Sequence, residues 1–231
     1  MSITIRPQDL ANEAKEGNIV LNAAMQAVRD NASGIDAAGA VGVAEKVADA
    51  YFRARARLAV VRDYPEARKF DAQETLDAAT ETYRQWASDI DVHEQVYMAG
   101  LYTKLGAPLS GTDALIARAD LAEFLNNPDR NFTESIRLSA ASGGNVARLV
   151  LSGYLDTLCA AKGADVKVVR MAAIGGYVQA NPQDATAKAI LSAPAKYGRL
   201  KAAMSRIAAE LPNVLKSDFA LRALRWGMPQ Q

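Results

Sequence analysis

The densest group of side chains able to do chemistry is Asp89-Ile90-Asp91-Val92-His93-Glu94, which carries three carboxylates and the single histidine. On a helix, Asp89 and His93 stand four residues apart, close enough to share a metal ion or a proton. The same residues also read as helix punctuation. Asp91 is then the N-cap, Glu94 its capping-box partner, and His93 an ordinary first-turn residue. A di-iron bundle needs paired Glu-x-x-His motifs, and one histidine cannot supply them. The punctuation reading is the stronger of the two.

Other reactive groups fare no better. Cys159 sits among Leu158, Ala160 and Ala161 at the end of an apolar stripe, which predicts a buried thiol. A single cysteine also excludes an intramolecular disulfide. No Gly-x-Ser-x-Gly elbow occurs, and Ser142-Gly143-Gly144-Asn145 lacks the Lys-Ser/Thr ending of a phosphate loop. Gly143 and Gly144 still offer bare N–H groups to an anion, but a helix-to-helix turn explains them equally well. Gly175-Gly176 reads as a packing notch. Asn131 and Glu134 read as a helix cap with its partner, so the Asn131-Phe132-Thr133 sequon needs no glycan. The expectation is a non-enzyme with no metal and no cofactor.

The signal that remains is the placement of charge. The chain has 27 basic and 26 acidic side chains, yet residues 1–160 hold 16 and 22, while residues 161–231 hold 11 and 4. The nets are therefore −6 and +7. Such asymmetry predicts either an acidic partner for the basic part or self-association between unlike parts. On a helix near 195–211, Lys196, Arg199 and Arg206 fall within about an 80° arc, beside the apolar stripe Leu200, Met204, Ile207 and Leu211. Lys216, Arg222 and Arg225 continue this basic ridge, with Tyr197, Phe219 and Trp226 interleaved. Cations beside exposed rings suit single-stranded nucleic acid; docked in a core, the same rings leave only a solvated face. A second basic group holds Arg53 and Arg57 on one helix face, with Asp49, Asp63, Glu66 and Asp71 near enough to neutralise them.

The elements that must position these residues are helices. The sequence has 46 Ala against 35 Val, Ile and Thr together, a balance that favours helix over strand. Ala72, Leu76, Ala79, Tyr83, Trp86 and Ile90 recur at helical spacing, as do Val43, Val47, Ala50, Ala54, Leu58 and Val61. Val146, Leu149, Val150, Gly153, Tyr154 and Leu158 form a further stripe, and Leu21, Met25 and Val28 a shorter one. Prolines punctuate the pattern, with Pro65 and Pro182 read as first-turn residues, Asn181 as a cap, and Pro108, Pro128, Pro194 and Pro212 as breakers. Helices are expected near 8–32, 40–62, 65–87, 91–105, 112–126, 131–141, 145–161, 165–179, 182–192, 195–211 and 217–226. The fold class is all-α, a compact bundle of about ten helices with a short extended N-terminal arm ending at Pro7. Residues 1–106 and 112–231 form two lobes, or one continuous domain, with the 106–111 loop as the boundary.

The start lacks the apolar core of a signal peptide and no window reaches ~18 uninterrupted apolar residues. A cytoplasmic or intracellular location, or a place inside an assembled particle, is expected, with no membrane partner. The first functional expectation is a non-enzymatic helical assembly protein, a coat- or nucleocapsid-like subunit. It would self-associate and bind nucleic acid through Arg53, Arg57, Lys196, Arg199, Arg206, Arg222 and Arg225. The alternative is an adaptor or regulator that presents the ridge to an acidic protein. The third is an all-α Mg²⁺-dependent enzyme built around Asp89, Asp91 and Arg84, since hard cations accept oxygen ligands alone.

Overall fold

In the computed structural model the described residues are 5–15, 18–106 and 108–226. Among them the regular structure is entirely helical: α1 (Pro7–Lys15), α2 (Ile19–Ala32), α3 (Ala40–Leu58), α4 (Pro65–Leu105), α5 (Gly111–Leu125), α6 (Phe132–Ala141), α7 (Gly144–Leu151), α8 (Tyr154–Lys162), α9 (Val166–Ala180), α10 (Ala185–Glu210), α11 (Asn213–Lys216) and α12 (Asp218–Arg225). The all-α expectation holds. Ile3 and Thr4 of the expected arm lie outside the described residues, and Pro7 opens α1.

The chain divides into two compact units. Unit 1 comprises the described residues of Met1–Glu94 and Lys196–Gln231, and unit 2 comprises those of Gln95–Ala195. The chain therefore changes unit inside α4 and inside α10, and the 106–111 loop lies within unit 2.

Unit 1 is built on the predicted stripes. Leu21 and Val28 of α2, Val47, Ala54 and Leu58 of α3, Ala72, Leu76, Trp86 and Ile90 of α4, and Leu200, Met204 and Ile207 of α10 are all buried. Each large apolar side chain so placed contributes about 1.5–3 kcal/mol. The expected helix 8–32 is two helices. Asn18 ends the break by accepting bonds from the Val20 and Leu21 amides at 2.9 and 3.2 Å, the N-cap of α2.

Arg68 is the largest fully buried side chain. Its guanidinium donates to the carbonyls of Leu58 at 3.0 Å, Ala223 at 2.8 Å, Leu224 at 3.5 Å and Trp226 at 2.9 Å. It thus satisfies the carbonyl ends of α3 and α12 together, which helical bonding cannot do. Burial pulls its pKa below the usual arginine range.

Unit 2 has its own core, in which Leu121, Ile136, Val150, Leu155, Val169, Ile174 and Ile190 are buried. Two glycines let backbones touch there. A Cβ on Gly176 of α9 would overlap the Arg137 carbonyl of α6, and one on Gly106 would overlap the Leu151 carbonyl. Gly176 is thus the packing notch expected of its pair.

Other expected boundaries differ as well. α4 runs unbroken through 88–91, so Asp91 and Glu94 are mid-helix residues rather than a capping box. α10 runs through Pro194, with Ile190 and Ala193 buried before it and Tyr197 and Leu200 buried after it. The gain from burying these side chains outweighs one missing hydrogen bond. Conversely, the expected helix 145–161 breaks into α7 and α8. Ser152 adopts extended backbone, donates its hydroxyl to the Leu149 carbonyl and accepts from the Tyr154 amide, drawing both helix ends onto one side chain. Pro182 also lies before its helix. Asn181 is the C-cap of α9, and Asp184 accepts from the Ala187 amide at the start of α10.

Candidate nucleic-acid interface

The seven basic residues singled out from the sequence all lie in unit 1, whose two segments, 1–94 and 196–231 counted in full, hold 18 basic and 18 acidic side chains. The asymmetry seen along the chain therefore leaves no net charge on these segments together. α10 and α12 return to the acidic N-terminal segment and pair with it. Arg222 contacts Glu13, and Lys201 donates to Asp91 and Glu94, at 2.6 Å in each case.

Among the seven, Arg53 pairs with Asp49 at 2.8 Å, and Arg57 bridges Asp63 at 2.5 Å and Asp71 at 2.7 Å. Both Arg57 contacts raise its pKa, the Asp71 bond most. Lys196 donates to the Ser33 carbonyl at 2.8 Å. Arg199, Arg206 and Arg225 are exposed and have no ion-pair partner among the described residues. Arg199 and Arg206 lie seven residues apart on α10, two turns along the same face.

The rings interleaved with the ridge face inward. Tyr197 is 0% exposed and donates to the Asp36 carbonyl at 2.7 Å, and Phe219 is 3% exposed beneath the Arg55 guanidinium at 4.5 Å. Trp226 is half-buried. Tyr197 and Phe219 thus have no face left for a base.

The acidic cluster is likewise engaged. His93 pairs with Asp36 at 2.9 Å, and that bond holds the Asp36 carboxyl below its usual range. Among the described residues no three His, Cys, Asp or Glu side chains are grouped to hold a metal. Asp91 is taken by Lys201, which leaves the Asp89–Asp91–Arg84 reading without a free carboxylate pair. Cys159 is fully buried, and burial pushes its thiol pKa up. Gly143 and Gly144 both take positive φ and form the turn into α7.

Unit 2 contains a cleft that the sequence did not suggest. It measures about 600 Å³, within the range of small-ligand sites, and lies where the end of α4 meets α5, the α7–α8 break and α9. Its walls are largely apolar, with Leu149 and Leu151 among them, and its polar side chains include Tyr102, Arg118, Tyr154 and Arg170. The Arg118 guanidinium stands 5.0 Å from the centre of the Tyr154 ring, and that of Arg170 stands 5.1 Å from the Tyr102 ring. Arg170 is also paired with Asp156. Arg118 is exposed and has no carboxylate partner among the described residues. No carboxylate lines the cleft. Burial pushes the Tyr102 phenol up, which keeps it a neutral hydrogen-bond donor.

These four residues are spread over α4, α5, α8 and α9, so no local spacing marks them. The one sequence signal is weak: Arg118 sits beside Ala117, which with Leu121 forms the buried edge of α5. Among the described residues no helix is long and apolar enough to cross a membrane. Comparison of the chain with family models, with curated proteins and with solved structures finds no match.

Proposed function

We infer that the protein is a non-enzymatic helical protein that binds nucleic acid through charge and assembles on it as a coat- or nucleocapsid-like subunit. The observation that carries this reading is Arg199, Arg206 and Arg225, left exposed without ion-pair partners among the described residues in a unit that engages its other candidate cations. Since Tyr197 and Phe219 beside them are core residues, the contact is with phosphates and tolerates any sequence. Lys201 and Arg222 are already engaged inside unit 1, and assembly here follows from strand binding.

Filter binding of a single-stranded oligonucleotide at about 50 and 200 mM salt tests this. Three phosphate contacts on a single strand give a log–log slope of about −2, a loss of roughly 20-fold over that range. Arg199→Gln, Arg206→Gln and Arg225→Gln together should flatten it. Light scattering should show growth in mass on adding the strand. A monomer that ignores RNA and DNA ends this reading. A defined complex with an acidic protein, in material free of excess absorbance at 260 nm, would replace it with the adaptor reading.

A further inference from the structure

We propose that the cleft of unit 2 is a nucleotide pocket that takes one base and its phosphodiester from a single strand, with Arg118 as the ligand-contacting cation. This inference shares a ligand class with the reading above but none of its residues, so the two fail separately.

The chemistry of the walls selects the ligand. Two guanidinium groups and no carboxylate line the cleft, so it favours an anion. Leucine walls and two tyrosine rings favour a flat, weakly polar body beside that anion. A nucleotide supplies both in one molecule. The charge count narrows this further. Arg170 is already paired with Asp156, whereas Arg118 has no carboxylate partner among the described residues, so the cleft they form presents one uncompensated positive charge. One charge matches a phosphodiester, which carries −1, better than a terminal phosphate or a triphosphate. Tyr154 holds the Arg118 guanidinium over its ring at 5.0 Å. Arg118 is exposed, so a base can stack on its guanidinium while its N–H groups donate to the phosphate. Tyr154 is thus a positioning residue, and the order of layers is tyrosine, guanidinium, base.

The test compares a fluorescent oligothymidylate with an abasic deoxyribose-phosphate strand of equal length, each titrated against the full chain. The parent protein should bind the base-bearing strand about tenfold more tightly, the scale of one stacked base. Arg118→Lys keeps the charge and loses the plane, so it should erase that preference and leave the salt slope unchanged. Arg118→Gln should erase the preference and reduce the slope by about 0.7. Tyr154→Phe should behave as the parent, and Tyr154→Ala as Arg118→Lys. Arg118 is exposed, so its variants should melt as the parent does by circular dichroism, which separates a binding defect from misfolding. The Arg199, Arg206 and Arg225 triple variant should keep the base preference. Equal affinity of the parent for the two strands, or a preference that survives in Arg118→Lys, overturns the proposal. Thymidine monophosphate distinguishes the source. Failure to displace the strand at millimolar concentration supports a strand site, and displacement at the strand's own nucleotide concentration overturns that assignment.

Discussion

The two units use arginine and aromatic residues in opposite ways. In unit 1, Tyr197 and Phe219 are core side chains, and several cations tie distant segments together: Arg222 to Glu13, Lys201 to Asp91 and Glu94, and Arg68 to carbonyls more than 150 residues away. In unit 2 the ion pairs join near neighbours in the chain, Arg137 with Glu134 and Arg170 with Asp156. There Tyr102 and Tyr154 stand half-buried on a cleft with guanidinium groups over them. A ring that fills a core stabilises but cannot meet a ligand; a ring on a concave wall can do both. Residue type alone therefore does not reveal a binding surface. The deciding quantity is which faces the fold leaves uncovered.

The sharpest way to break this contrast is at Arg68. Replacement by Met leaves several helix-end carbonyls in unit 1 without a donor, and the expected cost is about 3 kcal/mol, read as a lower urea midpoint. An unchanged midpoint would mean that water replaces the guanidinium and that unit 1 is not held by this contact. Unit 2 should respond instead to volume. Gly176→Ala places a methyl group on the Arg137 carbonyl, and a loss of about 1–3 kcal/mol is expected from α6 and α9 being forced apart. Hydrogen exchange should show faster opening of α6 and α9.

Smaller effects sharpen the picture. Asn18→Ala removes the α2 cap and donors to Tyr51 and Glu210, both at 3.0 Å, with about 1 kcal/mol expected by chemical denaturation. Lys201→Gln should cost less than about 1 kcal/mol, because both of its ion pairs reach the surface. The least is expected from pH. Asp36 has a folded pKa below its ordinary 3.8, so its bond to His93 contributes above that value and is lost as pH falls through the lowered one. His93→Ala should therefore be less stable than the parent above about pH 4, and the two should converge as acid titration carries them below it.

The sequence is enough for the fold class and most of the helices. Helix propensity and 3.6-residue periodicity are local, and stripes such as Leu200, Met204, Ile207 and Leu211 are buried as their spacing requires. It also determined the Asn131 cap, whose side chain accepts from the Glu134 amide at 2.9 Å. Glu134 itself turns to Arg137 rather than completing the box.

Tertiary packing settles where helices end when local and global preferences conflict, as at Pro194, Asp91 and Ser152. It alone returned the basic C-terminal segment to the acidic N-terminal one, converting an apparent polarity into internal pairing. It also gathered Tyr102, Arg118, Tyr154 and Arg170 from four helices onto one cleft. Charge acts through space, and pairing across 200 residues costs little more loop entropy than pairing across 50. A linear count of charges therefore measures the composition of segments and not the field of the folded protein.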